Sequence, residues 1–309
     1  MTELIAAMLR ANLVAALVIL VVMALRQPFR RWFGAETAYA LWLAPPIAVV
    51  AGFLPARVTF ALPSVVERAA AARAAMFPDW SAAALAVIWV LGCVYMGLRF
   101  YVAHQRFLDE VAKGGPEAAV VGFINPRVLM PRDDGRFSAE ERALMRAHEQ
   151  EHIARGDPLA NLWIAIFQCV AWFNPLVHAA AHLAKLDQEL ACDAAILRRN
   201  RRARGLYAKT LLKAQLAGQT PALVSAWAAG GRHPLEVRVG ALTRLAIDDA
   251  ATGPVLVLLA ILSVAALAWY GQPPEVRTLH RIPLITIEQP TMTVLLVKDH
   301  QGGWKAGKH

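Results

Sequence analysis

The chain has 309 residues, 57% of them hydrophobic and only 18% charged, with a formal charge of +9. Globular domains ordinarily run to about 25% charged and 45–50% apolar residues, so this composition disfavours a soluble enzyme, a disordered regulator and a secreted disulfide scaffold. Three cysteines (Cys93, Cys169, Cys192) without paired spacing offer neither a disulfide framework nor a cysteine zinc knot, and in so apolar a chain the basic excess reads as loops facing anionic lipid and cytosol.

In chain order, four stretches meet the length of about 20 mostly apolar residues that a bilayer span needs: about 4–25, 35–54, 82–101 and 253–271. In the first, Arg10 stands near the outer end, where its long stem can snorkel to the interface. Arg26, Arg30 and Arg31 follow the apolar run instead of preceding it, so the segment reads as an anchor and not a cleaved signal peptide. Pro45-Pro46, near the middle of the second, removes two backbone donors and is expected to kink it. Basic residues at span ends set orientation: Arg26, Arg30, Arg31, Arg99, Arg106, Lys113, Arg238 and Arg244 all argue for the cytoplasmic side. The nearly charge-balanced loop 57–79 suits the outside, while Arg277 and Arg281 run against the pattern. This orientation makes 1–103 a set of three spans, 104–252 cytoplasmic and 272–309 an extracytoplasmic tail, with both termini outside.

The cytoplasmic segment is long enough for one domain. Val120–Phe123 and Arg127–Met130 are predicted strands around an Asn125-Pro126 turn; they are either sheet core or an edge that an extended substrate can pair with. Ser138 and Glu141 form a capping-box pattern, so a helix is expected from Ala139 to near Gly156. That helix carries His148-Glu149-Gln150-Glu151-His152, an H-E-x-x-H. The four-residue spacing puts both imidazoles on one face, one turn apart, as two zinc ligands require, and it lets Glu149 serve as general base. Two solvent-facing histidines on an amphipathic helix would show the same spacing, but the cap and the helical context favour the metal.

The motif leaves the third ligand open. A metzincin would need glycine and histidine where Arg155 and Pro158 stand, so that class is out. The other common solution is a glutamate from a later helix. An apolar stretch, 159–173, leads to Asn174-Pro175, a turn signal, and then to a predicted helix from about Leu176 to Asn200. At about 15 residues the apolar stretch is short for a fifth span; lying on the membrane surface or in the domain core suits it better. A hairpin at Asn174-Pro175 would return Glu189-Leu190-Ala191-Cys192-Asp193 to the histidines. Glu189 and Asp193 share a face there, as a carboxylate ligand and an acid buttressing a ligand histidine would.

These strings, together with Gly156-Asp157-Pro158 and Trp172-Phe173-Asn174-Pro175-Leu176, resemble the BlaR/MecR-type membrane zinc peptidases over most of residues 1–270. The resemblance implies a polytopic α-helical membrane protein of about four spans, with a mainly α, gluzincin-like cytoplasmic zinc-peptidase domain that carries a small β element. It implies one Zn2+ per chain on His148, His152 and Glu189, Glu149 as the base and Asp193 behind a ligand histidine. It further implies a multi-pass protein of the bacterial inner membrane that makes limited cuts in a cytoplasmic protein, a helix-turn-helix repressor being the type of substrate. The best-known members sense β-lactams through a penicillin-binding-type domain. Here about 38 residues follow the last span and no S-x-x-K occurs, so that sensor is not expected. The string 283–297 offers at most a small hairpin.

Other features have plainer readings. His178 and His182 are four apart on the face of Glu189; a second metal site is one option and polar groups lining the active-site side of the helix the favoured one. Cys192 is read as a buried structural cysteine, with a thiolate ligand as the alternative. The basic run from Arg198 to Arg204 reads first as a solvated helix end beside anionic lipid, then as a dock for an acidic protein substrate. Direct nucleic-acid binding comes last, for want of a recognition fold or stacking aromatics. The partners expected are the bilayer and a protein substrate; the oligomeric state, homodimer included, is left open. A non-catalytic membrane coupler and a quality-control protease are the rival functions.

Overall fold

The structure, a computed structural model, describes residues 2–61, 79–114, 118–217, 234–242, 252–278, 295–298 and 304–307. Apolar content dictates its first layer. Among the described residues three helices are long and apolar enough to cross a membrane, Ile5–Phe33, Ser81–Ala112 and Thr252–Tyr270, within α1 (Thr2–Phe33), α3 (Asp79–Ala112) and α9 (Thr252–Tyr270). The second expected span is shorter than 35–54: α2 covers Ala35–Ala51. Its prolines leave the carbonyls of Leu41 and Trp42 without their i+4 donors. The helix therefore tightens into a 3-10 turn at Leu41–Leu43, with Ala44 N–H bonding Leu41 O, and beyond Ala51 the chain turns at Gly52-Phe53-Leu54. α2 nonetheless keeps pace with α9. Gly253 abuts Phe33 and Thr37 at one end, and at the other Gln272 Nε2 donates to Ala51 O over 2.8 Å. Between them, Val18, Val22, Leu41, Ala48, Val257 and Ile261 form one buried cluster that joins α1, α2 and α9.

Strand β1 (Val58–Ala61) after α2 pairs in parallel with β4 (Glu275–Thr278) after α9, in the register Val58↔Glu275. The expected hairpin in 283–297 falls mostly outside the described residues; of that string, β5 (Leu295–Lys298) pairs antiparallel with β6 (Trp304–Gly307). Arg244, Arg281 and most of the 57–79 loop also lie outside the described residues.

The remaining elements build the site. β2 (Ala119–Val121) and β3 (Arg127–Leu129) form the expected antiparallel pair around Asn125-Pro126, with Val120 opposite Val128. α4 (Ala139–Ala154) begins at the expected capping box: Ser138 Oγ accepts from Glu141 N, and Glu141 Oε2 accepts from Ser138 N at 2.8 Å. Gly156, at φ +73°, takes the left-handed turn that ends α4 and starts α5 (Asp157–Val170). Asn174 caps α6 (Pro175–Arg199) through its own side chain, so the hairpin read from the sequence is present. α7 (Arg204–Ala217) and α8 (Pro234–Leu242) close over α6, with Ile196, Leu197, Tyr207 and Leu242 buried together.

Two of the charges taken as orientation markers have other work. Arg26 is 5% exposed and donates from Nε and Nη2 to Asp187 of α6 over 2.9 and 3.1 Å. Arg238 is drawn into the site described next. Both guanidiniums are paired with buried carboxylates, so their charge alone does not set sidedness. Their spacing from the spans imitates the positive-inside pattern, while the acids that claim them are distant in sequence.

Candidate metal centre

Helical pitch places His148 and His152 side by side on α4, their rings edge-to-face with centroids 4.7 Å apart and their Nε2 atoms 3.1 Å apart. α6, returned by the Asn174-Pro175 turn, brings Glu189 over both. Its Oε2 is 3.3 Å from His148 Nε2 and its Oε1 3.5 Å from His152 Nε2. The other ring nitrogens are engaged elsewhere. His152 Nδ1 meets Asp157 Oδ2 at 2.7 Å, while His148 Nδ1–H donates to Tyr207 Oη at 2.8 Å, and that hydroxyl donates to Asp193 Oδ1 at 2.6 Å. With both Nδ1 positions protonated, both Nε2 lone pairs point at the Glu189 carboxylate.

That donor set fits a tetrahedral cation. Zinc with bonds of about 2.0–2.1 Å to nitrogen and oxygen holds its ligand atoms about 3.3 Å apart; here the two imidazole nitrogens stand 3.1 Å apart, with one Glu189 oxygen 3.3 Å from the first and the other 3.5 Å from the second. Carboxylates or hydroxyls on the far side of ligand histidines are the usual means of fixing tautomer and ring plane. Cys192 Sγ also lies within 4.8 Å of a nitrogen on each histidine. It is fully buried, however, and its thiol donates to His148 O at 3.4 Å. Burial, with the Glu189 and Asp193 carboxylates adding to it, pushes that thiol well above its ordinary range.

Two site residues gave no sequence signal as such. Arg238 on α8 donates from Nη1 to Glu189 Oε2 at 2.9 Å, and from Nε and Nη2 to both oxygens of Asp193 at 2.9 and 2.7 Å. Glu189 Oε2 is thus shared between Arg238 and His148, while Oε1 faces His152. Burial alone would raise the Glu189 carboxyl; its contact with His148 and the Arg238 charge outweigh it and hold the group well below the usual carboxylate range. Tyr207 on α7 is the second. Tyr207→Phe is expected to lower metal affinity by about 10–100-fold, the usual cost of losing a group behind a ligand; competition with a chromogenic chelator measures it.

Glu149 opens into the same cavity of about 310 Å³ as His148, His152, Glu189 and Arg238, beside Ala118 just ahead of β2. Burial raises its carboxyl, against the lowering effect of His148 and His152. Thus His148, Glu149, His152, Glu189 and Asp193 are brought together. His178 and His182 are not: His178 Nε2 donates to Trp172 O at 2.9 Å, and its Nδ1 meets Gln168 at 3.1 Å, away from the cavity. The basic run is partly paired, Arg198 with Glu36 at 2.8 Å and Arg199 with Glu151.

The family model described as "BlaR1 peptidase M56" matches residues 6–118 and 110–242, and the chain belongs to that family of peptidases. A curated relative, "Regulatory protein BlaR1" of Bacillus licheniformis, is 34% identical over 95 residues, which is 31% of this chain and 16% of the relative. The chain therefore matches about a sixth of that protein's length. No solved structure matches. Family and apolar helices together make this a membrane protein.

Proposed function

We propose that the protein is a zinc-dependent endopeptidase of the inner membrane, with His148, His152 and Glu189 as ligands and its centre on the cytoplasmic side. The observation that carries this is the convergence of the two imidazoles and the Glu189 carboxylate, within 3.1–3.5 Å of one another, in one cavity with Glu149. When bound, zinc supplies a Lewis acid that polarises the scissile carbonyl and makes water acidic enough to attack near neutral pH. Glu149 takes the proton from the attacking water and returns it to the leaving amine. Arg238 and Tyr207 orient Glu189 and His148. Ala118 at the cavity rim sets the β2 edge where an extended substrate segment can pair with it. The proposed substrate is a cytoplasmic regulator cut at few sites, of the helix-turn-helix repressor type.

Arg26 stands at the end of the first span that the loop charges put in the cytoplasm, and it is bonded to Asp187, two residues from Glu189, which supports a centre at that end of α1.

The test is metal content of the full-length protein in detergent, beside His148→Ala and Glu189→Ala. One zinc per chain, lost in both variants, is expected. Retention in Glu189→Ala alone would move the third ligand to Cys192, and no metal after zinc is supplied would turn the reading to a non-catalytic coupler.

A further inference from the structure

The α5–α6 hairpin reaches away from the metal centre, and its surroundings are those of a membrane element. Its inner face packs on two spans. Ala171, Val177 and Ala180 close over Ile19 of α1. The Trp172 indole fills a notch at Gly92 of α3, where a Cβ would come within 2.1 Å of the ring. At the tip, Asn174 Nδ2 donates to Asn12 Oδ1 at 3.3 Å. Asn12 stands roughly 20 Å along α1 from Arg26 at 1.5 Å per residue. The tip is thus far inside a hydrocarbon layer of about 30 Å.

Its polar groups are provided for accordingly. A turn frees backbone carbonyls, and hydrocarbon offers them no donors, so the protein must supply partners. Val170 O accepts from Trp89 Nε1 at 2.8 Å, Trp172 O from His178 Nε2 at 2.9 Å, and Trp89 O from Trp172 Nε1 at 3.2 Å. Asn174 Oδ1 takes the N–H of Leu176. This assigns His178, the histidine outside the metal centre, to sealing the turn.

The outer face of the hairpin has the opposite character. Leu159, Trp163, Ile166, Val170 and Phe173 recur every three or four residues, the period of one helical face, and each is 41–63% exposed. The stripe runs beside α3, which exposes Val87, Leu91 and Val94 around Trp89 and Gly92. We propose that α5 and the first half of α6 form a re-entrant hairpin whose stripe is covered by lipid acyl chains, continuous with the lipid-facing surface of α3. The apolar stretch 159–173 is then neither a fifth span nor a surface helix: it enters the bilayer from the side of the metal centre and returns to it. The proposal rests on the reading of α1 and α3 as spans.

The test places a benzophenone amino acid at Trp163, Ile166 or Phe173 of the full-length protein in phosphatidylethanolamine–phosphatidylglycerol nanodiscs. Positions Leu91 on α3 and Ala143 on the exposed side of α4 serve as controls. Illumination followed by intact-protein mass spectrometry reads a gain of one lipid mass. Lipid adducts at the three hairpin positions, in yield comparable to Leu91 and absent at Ala143, are expected. Adducts at Leu91 without any at the hairpin would overturn the proposal and leave the spans standing, as would crosslinks from the stripe to a second copy of the chain. Failure at Leu91 as well would overturn both.

Discussion

Glutamine in place of Glu149 is expected to leave zinc content and thermal stability unchanged while lowering cleavage by about 10²–10⁴-fold, the contribution typical of a positioned general base. The substitution keeps the size of the side chain and its place in the cavity and removes only the ability to take a proton. Glu149 suits that role because burial raises its carboxyl above the ordinary range, which moves it toward the pH at which proton transfer in both directions is efficient. The histidines beside it and Glu189, which is held to Arg238 by an ion pair of 2.9 Å, are the proposed ligands, which leaves Glu149 as the carboxylate for proton transfer. The measurement is the appearance of a new N-terminus in a candidate repressor reconstituted with the protease. A variant cutting at the wild-type rate would remove Glu149 from the mechanism.

Asp187→Ala is expected to be the most damaging single change to stability, by about 3–5 kcal/mol, the range seen when one partner of a buried ion pair is removed. Asp187 is 1% exposed and accepts from Arg26 at 2.9 and 3.1 Å and from Trp42 Nε1 at 2.9 Å. Arg30 Nη1 stands 3.5 Å away. Truncation strands a guanidinium that is itself 5% exposed between two apolar helices. Arg26→Leu with Asp187→Leu should cost less than the sum of the two single changes, because neither charge is then left alone. Thermal unfolding in detergent of the two singles and the double gives the coupling. Simple additivity would mean that the pair does not join α1 to α6 energetically.

The parts of this architecture that were legible in the sequence are those encoded by local periodicity. The capping box at Ser138 and Glu141, the imidazole spacing on α4, the Asn174-Pro175 reversal and the carboxylate face of α6 each lie within a few residues and follow from helical pitch. Arg238 and Tyr207 were not legible, because an isolated arginine or tyrosine carries no period and its partner is chosen by tertiary packing. Arg238 was read as an orientation charge for that reason. Asp157 stood inside a recognised turn string, yet its contact with His152 depends on the left-handed step at Gly156, which composition alone does not announce. The proline pair of α2 was legible as an irregularity, and it appears as a 3-10 turn inside the helix; the end of α2 at Ala51 is set by the turn at Gly52-Phe53-Leu54.

One feature of α6 has a mechanical side. The helix runs unbroken from Pro175, beside Asn12 deep among the spans, to Arg199, and Glu189 sits along it roughly 20 Å from that foot at 1.5 Å per residue. A continuous helix in a close-packed setting transmits strain instead of absorbing it. Functional constellations tolerate displacements of only about 0.5 Å. The spans and the cavity are thus joined by one uninterrupted helix, so a displacement of α1 at Asn12 has a direct mechanical route to Glu189.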